Sequence, residues 1–249
     1  MVSSNNPHKA SAPGVLALDL HPTQDEIVVT GGVDASVIVF NHETGKIVST
    51  LNGHSKRVND VLFHPSGDVV LSCSQDKTAR VWRSAGGSAY NTSHVVKIHT
   101  DDVTAISLHA TGDYLATASL DRSWGFHDIN TGACLLKVSR PRDDAGLSSI
   151  AFHPDGLILG TGTTDSMVRI WDVKLQDNVA SFEGHAGKIV DITFSENGFY
   201  LATAAEDSIK LWDLRKLTNF FTIPIDSPVS AINFDYSGNY LAVAGNQIK

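Results

Sequence analysis

The chain has 249 residues, enough for one large all-β domain, and its formal net charge of -8 argues against a general electrostatic grip on phosphate backbones, so direct nucleic-acid binding is the minority reading. Cys73 and Cys134 are the only cysteines and lack a Cys-x-x-Cys partner, which excludes a disulfide framework and fits a reducing compartment with two unpaired, buried thiols. The polar first residues and the lack of any stretch of bilayer-spanning length make the chain read as soluble, unsecreted and without a membrane partner.

Residues 1–13, rich in Ser, Asn and Pro, read as a flexible lead-in, and the first alternating apolar run begins at Val15. From there a first unit, 14–52, has short apolar runs at 15–20, 27–30 and 37–40 separated by His-Pro, Gly-Gly and Asp-Ala turns. A second, 53–97, opens on Gly53-His54, places Val58, Val61 and Phe63 on an inner strand, and reaches Val81 and Trp82 ahead of the Gly86-Gly87 loop. Its alternation has period two, the signature of a strand. The third, 98–142, has Ile98-His99 in place of the Gly-His pair; the fourth, 143–183, follows the stretch SRPRDDAG from Ser139 to Gly146 and is expected to be irregular at its entrance. The fifth, 184–228, restores Gly184-His185, and a partial sixth, 229–249, ends before its own aromatic.

One frame underlies these units. A hydroxyl residue is followed four positions later by Asp and then by an aromatic: Thr30, Asp34, Phe40; Ser72, Asp76, Trp82; Thr117, Asp121, His127; Thr161, Asp165, Trp171; and Thr203, Asp207, Trp212. The aromatic slot returns at intervals of 42, 45, 44 and 41 residues. That period, with Gly-His at one end and Trp-Asp at the other, points to four-stranded blades. Trp171-Asp172 and Trp212-Asp213 carry the dipeptide intact, and the chain resembles the WD-repeat β-propeller family: all-β, with about five and a half blades present. Because a propeller suppresses exposed edges by closing its ring, a fragment of a longer parent is expected.

Ser or Thr, His and Asp in one neighbourhood invite a hydrolase reading, but a catalytic set is needed once, whereas this one recurs in blade after blade. The expected role is a buried hydrogen-bond network: His54, Ser72, Asp76 and Trp82 in the second blade, His185, Thr203, Asp207 and Trp212 in the fifth. The third blade has His127 for the indole and the fourth lacks the His, so both are expected to be looser. His21, His64, His109 and His153 recur in a strand-to-strand turn; His8, His42 and His94 remain unplaced. No metal-ligand spacing, Walker-type element or dinucleotide fingerprint occurs, and no catalytic residue, metal or cofactor is assigned.

The residues flanking the start of each inner strand, and the one before each turn Asp, are expected at one mouth of the channel: Arg57, Asn59 and Gln75; Asp102, Thr104 and Leu120; Thr164; and Lys188, Val190 and Glu206. Mixed charge with an exposed Leu suits a protein or peptide ligand.

Two stretches are more specific, FHPDGLILGTGT from Phe152 to Thr163 and FSENGFYLATAAEDSIKLWDLRKL from Phe194 to Leu217; with TGGVDA at 30–35 and TLNGHSKRV at 50–58 they closely resemble the pre-mRNA-processing factor 19 family. That resemblance implies a seven-bladed propeller in a nuclear U-box ubiquitin ligase of the spliceosome and of DNA-damage responses, tetrameric through a coiled coil absent here. For this chain it implies no ligase chemistry of its own and a recruiting role toward splicing-complex components or ubiquitin-pathway substrates. The alternatives are a general WD-repeat adaptor in trafficking or signalling and an enzyme built on a propeller.

Overall fold

A computed structural model describes residues 7–8, 14–86, 89–139 and 145–245, and every regular element in them is a β-strand. The first sheet runs β1 (Val15–Leu20), β2 (Ile27–Gly32), β3 (Ser36–Asn41) and β4 (Lys46–Asn52); the second β5 (Val58–Phe63), β6 (Val69–Ser74), β7 (Ala79–Ser84) and β8 (Tyr90–Val96). The third has β9 (Val103–Leu108), β10 (Tyr114–Ser119), β11 (Ser123–Asp128) and β12 (Cys134–Ser139). The fourth has β13 (Leu147–Phe152), β14 (Ile158–Thr163), β15 (Val168–Asp172) and β16 (Asp177–Phe182), and the fifth β17 (Ile189–Phe194), β18 (Tyr200–Ala205), β19 (Ser208–Asp213) and β20 (Thr218–Pro224). A two-stranded sheet of β21 (Val229–Phe234) and β22 (Leu241–Gly245) completes the series. These antiparallel meanders are the blades of a WD-repeat β-propeller fold. By contact density the chain divides into two compact units, residues 1–108, 112–121 and 125–137 in one and 109–111, 122–124 and 138–249 in the other.

Burial follows position in the blade. The outermost strands alternate, β12 and β16 being exposed at every second residue or more, whereas β6 and β18 are buried along almost their whole length. The second strand of each four-stranded meander is covered on both faces, so its sequence is a continuous run of small and apolar residues rather than an alternation. Close packing sets the size limit: a Cβ on Gly162 of β14 would stand 2.4 Å from Ile189 Cγ2 of β17, so only glycine lets the two strands approach. In the first unit Val69, Leu71, Val81, Val103, Ile106 and Leu115 form one core cluster; in the second Ile170, Ile189, Ile192, Leu201 and Trp212 belong to another.

The thiols differ from expectation. Cys73 is buried in β6, and burial pushes its pKa well up, but Cys134 is exposed. It opens β12, an outermost strand whose alternate side chains face solvent.

The register breaks at two recurring places, at the aromatic slot between the third and fourth strands and at the start of the inner strand. Between Val58 and Asp60, Leu147 and Ser149, Ile189 and Asp191, and Val229 and Ala231 the inner strand carries a bulge, and β9 and β10 shift at the matching end. A bulge leaves one residue unpaired and re-aims its side chain. Asn59 and Val190 occupy that position.

Candidate functional site

The polar sets lie inside the sheets. His54 Nδ1 is 2.9 Å from Asp76 Oδ2, His54 Nε2 is 2.8 Å from Ser72 Oγ, and Trp82 Nε1 donates to the same oxygen at 2.9 Å. A carboxylate only accepts, so Nδ1–H donates to Asp76, Nε2 accepts the Ser72 hydroxyl, and that oxygen takes the indole N–H. Every donor then has one acceptor. Burial lowers the His54 pKa more than Asp76 raises it, which keeps the imidazole neutral; burial pushes Asp76 up, but hydrogen bonds from Thr78, His54 and the Ser55 N–H together carry it below the usual carboxylate range. The fifth blade repeats the geometry, with His185 3.0 Å from Asp207, 2.7 Å from Thr203, and Trp212 Nε1 2.8 Å from Thr203 Oγ1.

The third blade is as fully linked at this point as the second. His99 Nε2 lies 2.8 Å from Thr117 Oγ1, and His127 Nε2 reaches the same oxygen at 3.0 Å, standing in for the indole N–H. The substitute has a cost: His127 Nδ1 is buried without a hydrogen-bond partner among the described residues, and burial, with a smaller contribution from His99, lowers the His127 pKa to about 3. In the fourth blade Trp171 Nε1 donates to Thr161 Oγ1 at 2.8 Å, while residues 140–144, in the stretch that replaces Gly-His, lie outside the described residues.

Sequence spacing concealed the first blade's histidine. His8, 4% exposed, bonds Thr30 Oγ1 at 2.9 Å, Asp34 at 2.9 Å and Ser36 at 3.0 Å, filling the imidazole slot from within the stretch expected to be a flexible lead-in. In the second, third and fifth blades the His precedes the Asp by 22 residues; here the separation is 26, because the connection is longer. Phe40 supplies no N–H. His42 and His94, also unplaced by spacing, bond the Asp25 and Asn130 carbonyls.

The four turn histidines are tethers. In the first unit His21 Nε2 lies 3.2 Å from Gly67 O and His64 2.9 Å from Gly112 O, each joining one turn to its counterpart in the next sheet; in the second His109 lies 3.1 Å from Gly156 O and His153 2.9 Å from Gly198 O. The series stops at Ser195, whose hydroxyl bonds within its own turn to Asn197.

The expected mouth residues come together pairwise. Gln75 N–H donates to Arg57 O, Leu120 N–H to Asp102 O, Thr164 N–H to Gly146 O and Glu206 N–H to Lys188 O, at 3.0–3.2 Å, so each blade brings the residue before its inner strand beside the residue before its turn Asp. Arg57, Thr164, Lys188 and Glu206 are exposed; Gln75, Asp102, Thr104, Leu120 and Val190 are half-buried. Two side chains are already engaged: Asn59 Nδ2 donates to Val103 O at 2.7 Å and Thr104 Oγ1 to Ala118 O at 3.2 Å.

A second surface, which the repeat spacing does not reveal, lies at the opposite end of the fifth sheet. Arg215 bonds both oxygens of Asp213, at 3.0 and 2.8 Å, and its guanidinium lies 4.6 Å from the Phe199 ring centre and 5.8 Å from that of Tyr200. The Arg215 hydrogen bonds hold the Asp213 carboxyl at about 2. Phe220 stands 5.3 Å from Tyr200, and Phe199 and Phe220 are 46% and 53% exposed. Beside them, in the turn between β21 and β22, Tyr236 and Tyr240 are 90% and 75% exposed. Among the described residues no group of three His, Cys, Asp or Glu could hold a metal ion.

The family model described as the Prp19 WD40 domain matches residues 7–249. The chain is similar to Pre-mRNA-processing factor 19 of Oryza sativa subsp. japonica, 49% identical over 251 residues that cover 100% of this chain and 47% of that protein. Pre-mRNA-processing factor 19 of Mus musculus is 52% identical over 247 residues, 97% of this chain and 48% of its own, and that of Caenorhabditis elegans is 41% identical over 246 residues, 97% of this chain and 49% of its own. The chain spans about half the length of the curated relatives it matches.

Proposed function

The chain belongs to the Prp19 WD40-domain family, and from that premise we propose that it is a protein-interaction scaffold that holds a pre-mRNA-splicing component in the nucleus. One observation carries the reading. The hydroxyls, imidazoles and carboxylates that could do chemistry are bonded to one another inside the second, third and fifth blades, at 2.7–3.0 Å in the second and fifth, so what the chain offers other molecules is its surface. Exposed aromatic rings with a stacked arginine are the composition of a protein-binding hot spot, which favours the Phe199–Arg215–Phe220 surface as a main contact and the Arg57 and Lys188 ends of the blades as a second. In the whole protein we further propose a U-box ubiquitin ligase, active also in DNA repair and tetrameric through a coiled coil, in which these blades recruit substrate while another part presents ubiquitin; proximity supplies the rate.

Affinity capture from nuclear extract with the tagged chain, followed by mass spectrometry, tests this. Splicing proteins are expected with the wild type and are expected to fall away with Phe199→Ala plus Arg215→Ala, or with Arg57→Glu plus Lys188→Glu. Retention of trafficking or signalling proteins alone overturns the splicing assignment. Unchanged capture by both double variants overturns the two surfaces.

A further inference from the structure

Where the fifth sheet meets the turn leading into β21, an open cleft of about 500 Å³ is lined by the apolar side chains of Val190, Ile225, Pro228 and Val229 and by Glu206 and Asp226. All lie in the second unit. Val229 is buried and Val190 and Ile225 are half-buried, whereas Glu206 and Asp226 are exposed. Neither is joined to a cation by an ion pair among the described residues; the nearby Asp207 carboxylate, by contrast, is already taken up by His185 and Ser208. Lys188 sits at the same end, but its contact with Glu206 runs through its carbonyl.

We propose that this cleft docks a cationic side chain, arginine or lysine, on an extended segment of the partner protein. The inference deepens the scaffold reading and rests on it. An arginine or lysine presents a methylene stem and a charged head, which match the more buried apolar side chains and the exposed carboxylates of the cleft. A carboxylate side chain would meet two like charges, and a purely apolar one would leave both carboxylates with no new partner. The net charge of -8 draws a basic segment toward the chain in the first place.

The full chain titrated with a fluorescent octapeptide carrying one central arginine in an alanine, serine and valine background tests the cleft, with lysine, norleucine and glutamate counterparts as controls. Amide resonances of Val190, Glu206 and Val229 locate the contact. The arginine and lysine peptides are expected to shift these resonances and bind more weakly as salt rises; Glu206→Gln with Asp226→Asn is expected to cost about tenfold in affinity. Both residues are exposed, so the thermal midpoint of the double variant is expected to match the wild type. Equal binding of the norleucine or glutamate peptide, unaltered binding by the double variant, or shifts confined to other residues overturns the proposal. If capture of splicing proteins persists in the double variant and the cationic peptides do not bind, the cleft falls and the scaffold reading stands. Cationic peptides that bind a chain capturing no splicing protein leave the cleft standing and remove the splicing scaffold.

Discussion

Ser72 is the shared point of its network, since its oxygen takes the Trp82 N–H while its hydroxyl serves His54. Ser72→Ala strands two buried polar groups at once and is expected to cost about 3 kcal/mol in urea unfolding, well above a single exposed hydrogen bond. Two buried groups set opposing pH dependences. His127 titrates at about 3 when folded and near 6.5 when unfolded, so its contribution is complete above the unfolded value and is lost as pH falls toward 3, by up to about 5 kcal/mol. Asp191, which accepts the Ile192 and Ile232 N–H groups, is raised by burial to about 6; its contribution is present at low pH and lost as pH rises through 6, by about 3 kcal/mol. His54 and His185, also lowered by burial, act in the direction of His127. Acid therefore destabilises on balance. Asp191→Asn removes the opposing contribution, and its urea midpoint is expected to fall more steeply than that of the wild type between pH 6.5 and 4.

Within each unit, the turn histidines tether one turn to another. His153 reaches Gly198 O, and Gly198 has φ +72 with space for no Cβ, since one would stand 2.7 Å from His153 Nε2. Gly198→Ala is expected to cost about 2 kcal/mol and His153→Ala about 1, with the pair non-additive because they remove one contact. Among the described residues the turn at 235–240 receives no such histidine tether, Ser195 standing where the other inner strands are followed by His. Its amides are expected to exchange with deuterium faster than those of the tethered turn at 195–198, and equal protection in both would mean that the tether does not restrain the turn. Tyr236 and Tyr240 lie in this untethered turn, and both are exposed.

For the chain as a whole, the acidic balance and the occupied polar groups both point away from nucleic acid and toward protein. The chain is expected to pass through a heparin column in about 0.15 M salt while still capturing protein partners from extract; heparin retention that falls with salt would reverse that assignment. Arg57, Asn59 and Thr104 illustrate how much of a surface can be read from spacing. The repeat located all three at the same end of their blades, but only the folded chain has Asn59 and Thr104 spending their side chains on the Val103 and Ala118 carbonyls while Arg57 stays exposed.

The all-β meander, its period and the residue types of the buried networks are legible in the amino-acid order alone, because these depend on local alternation and on a spacing that recurs. Folding in three dimensions decides which residues fill the slots when spacing slips. His8 enters its network across 26 residues instead of 22, His127 replaces an indole by presenting one N–H at the same place, and Cys134 is exposed because its strand is outermost. The same holds for Arg215 on Phe199 and for the cleft at Glu206 and Asp226. Contacts made across turns are fixed by distance and direction in space, and no period along the chain encodes them.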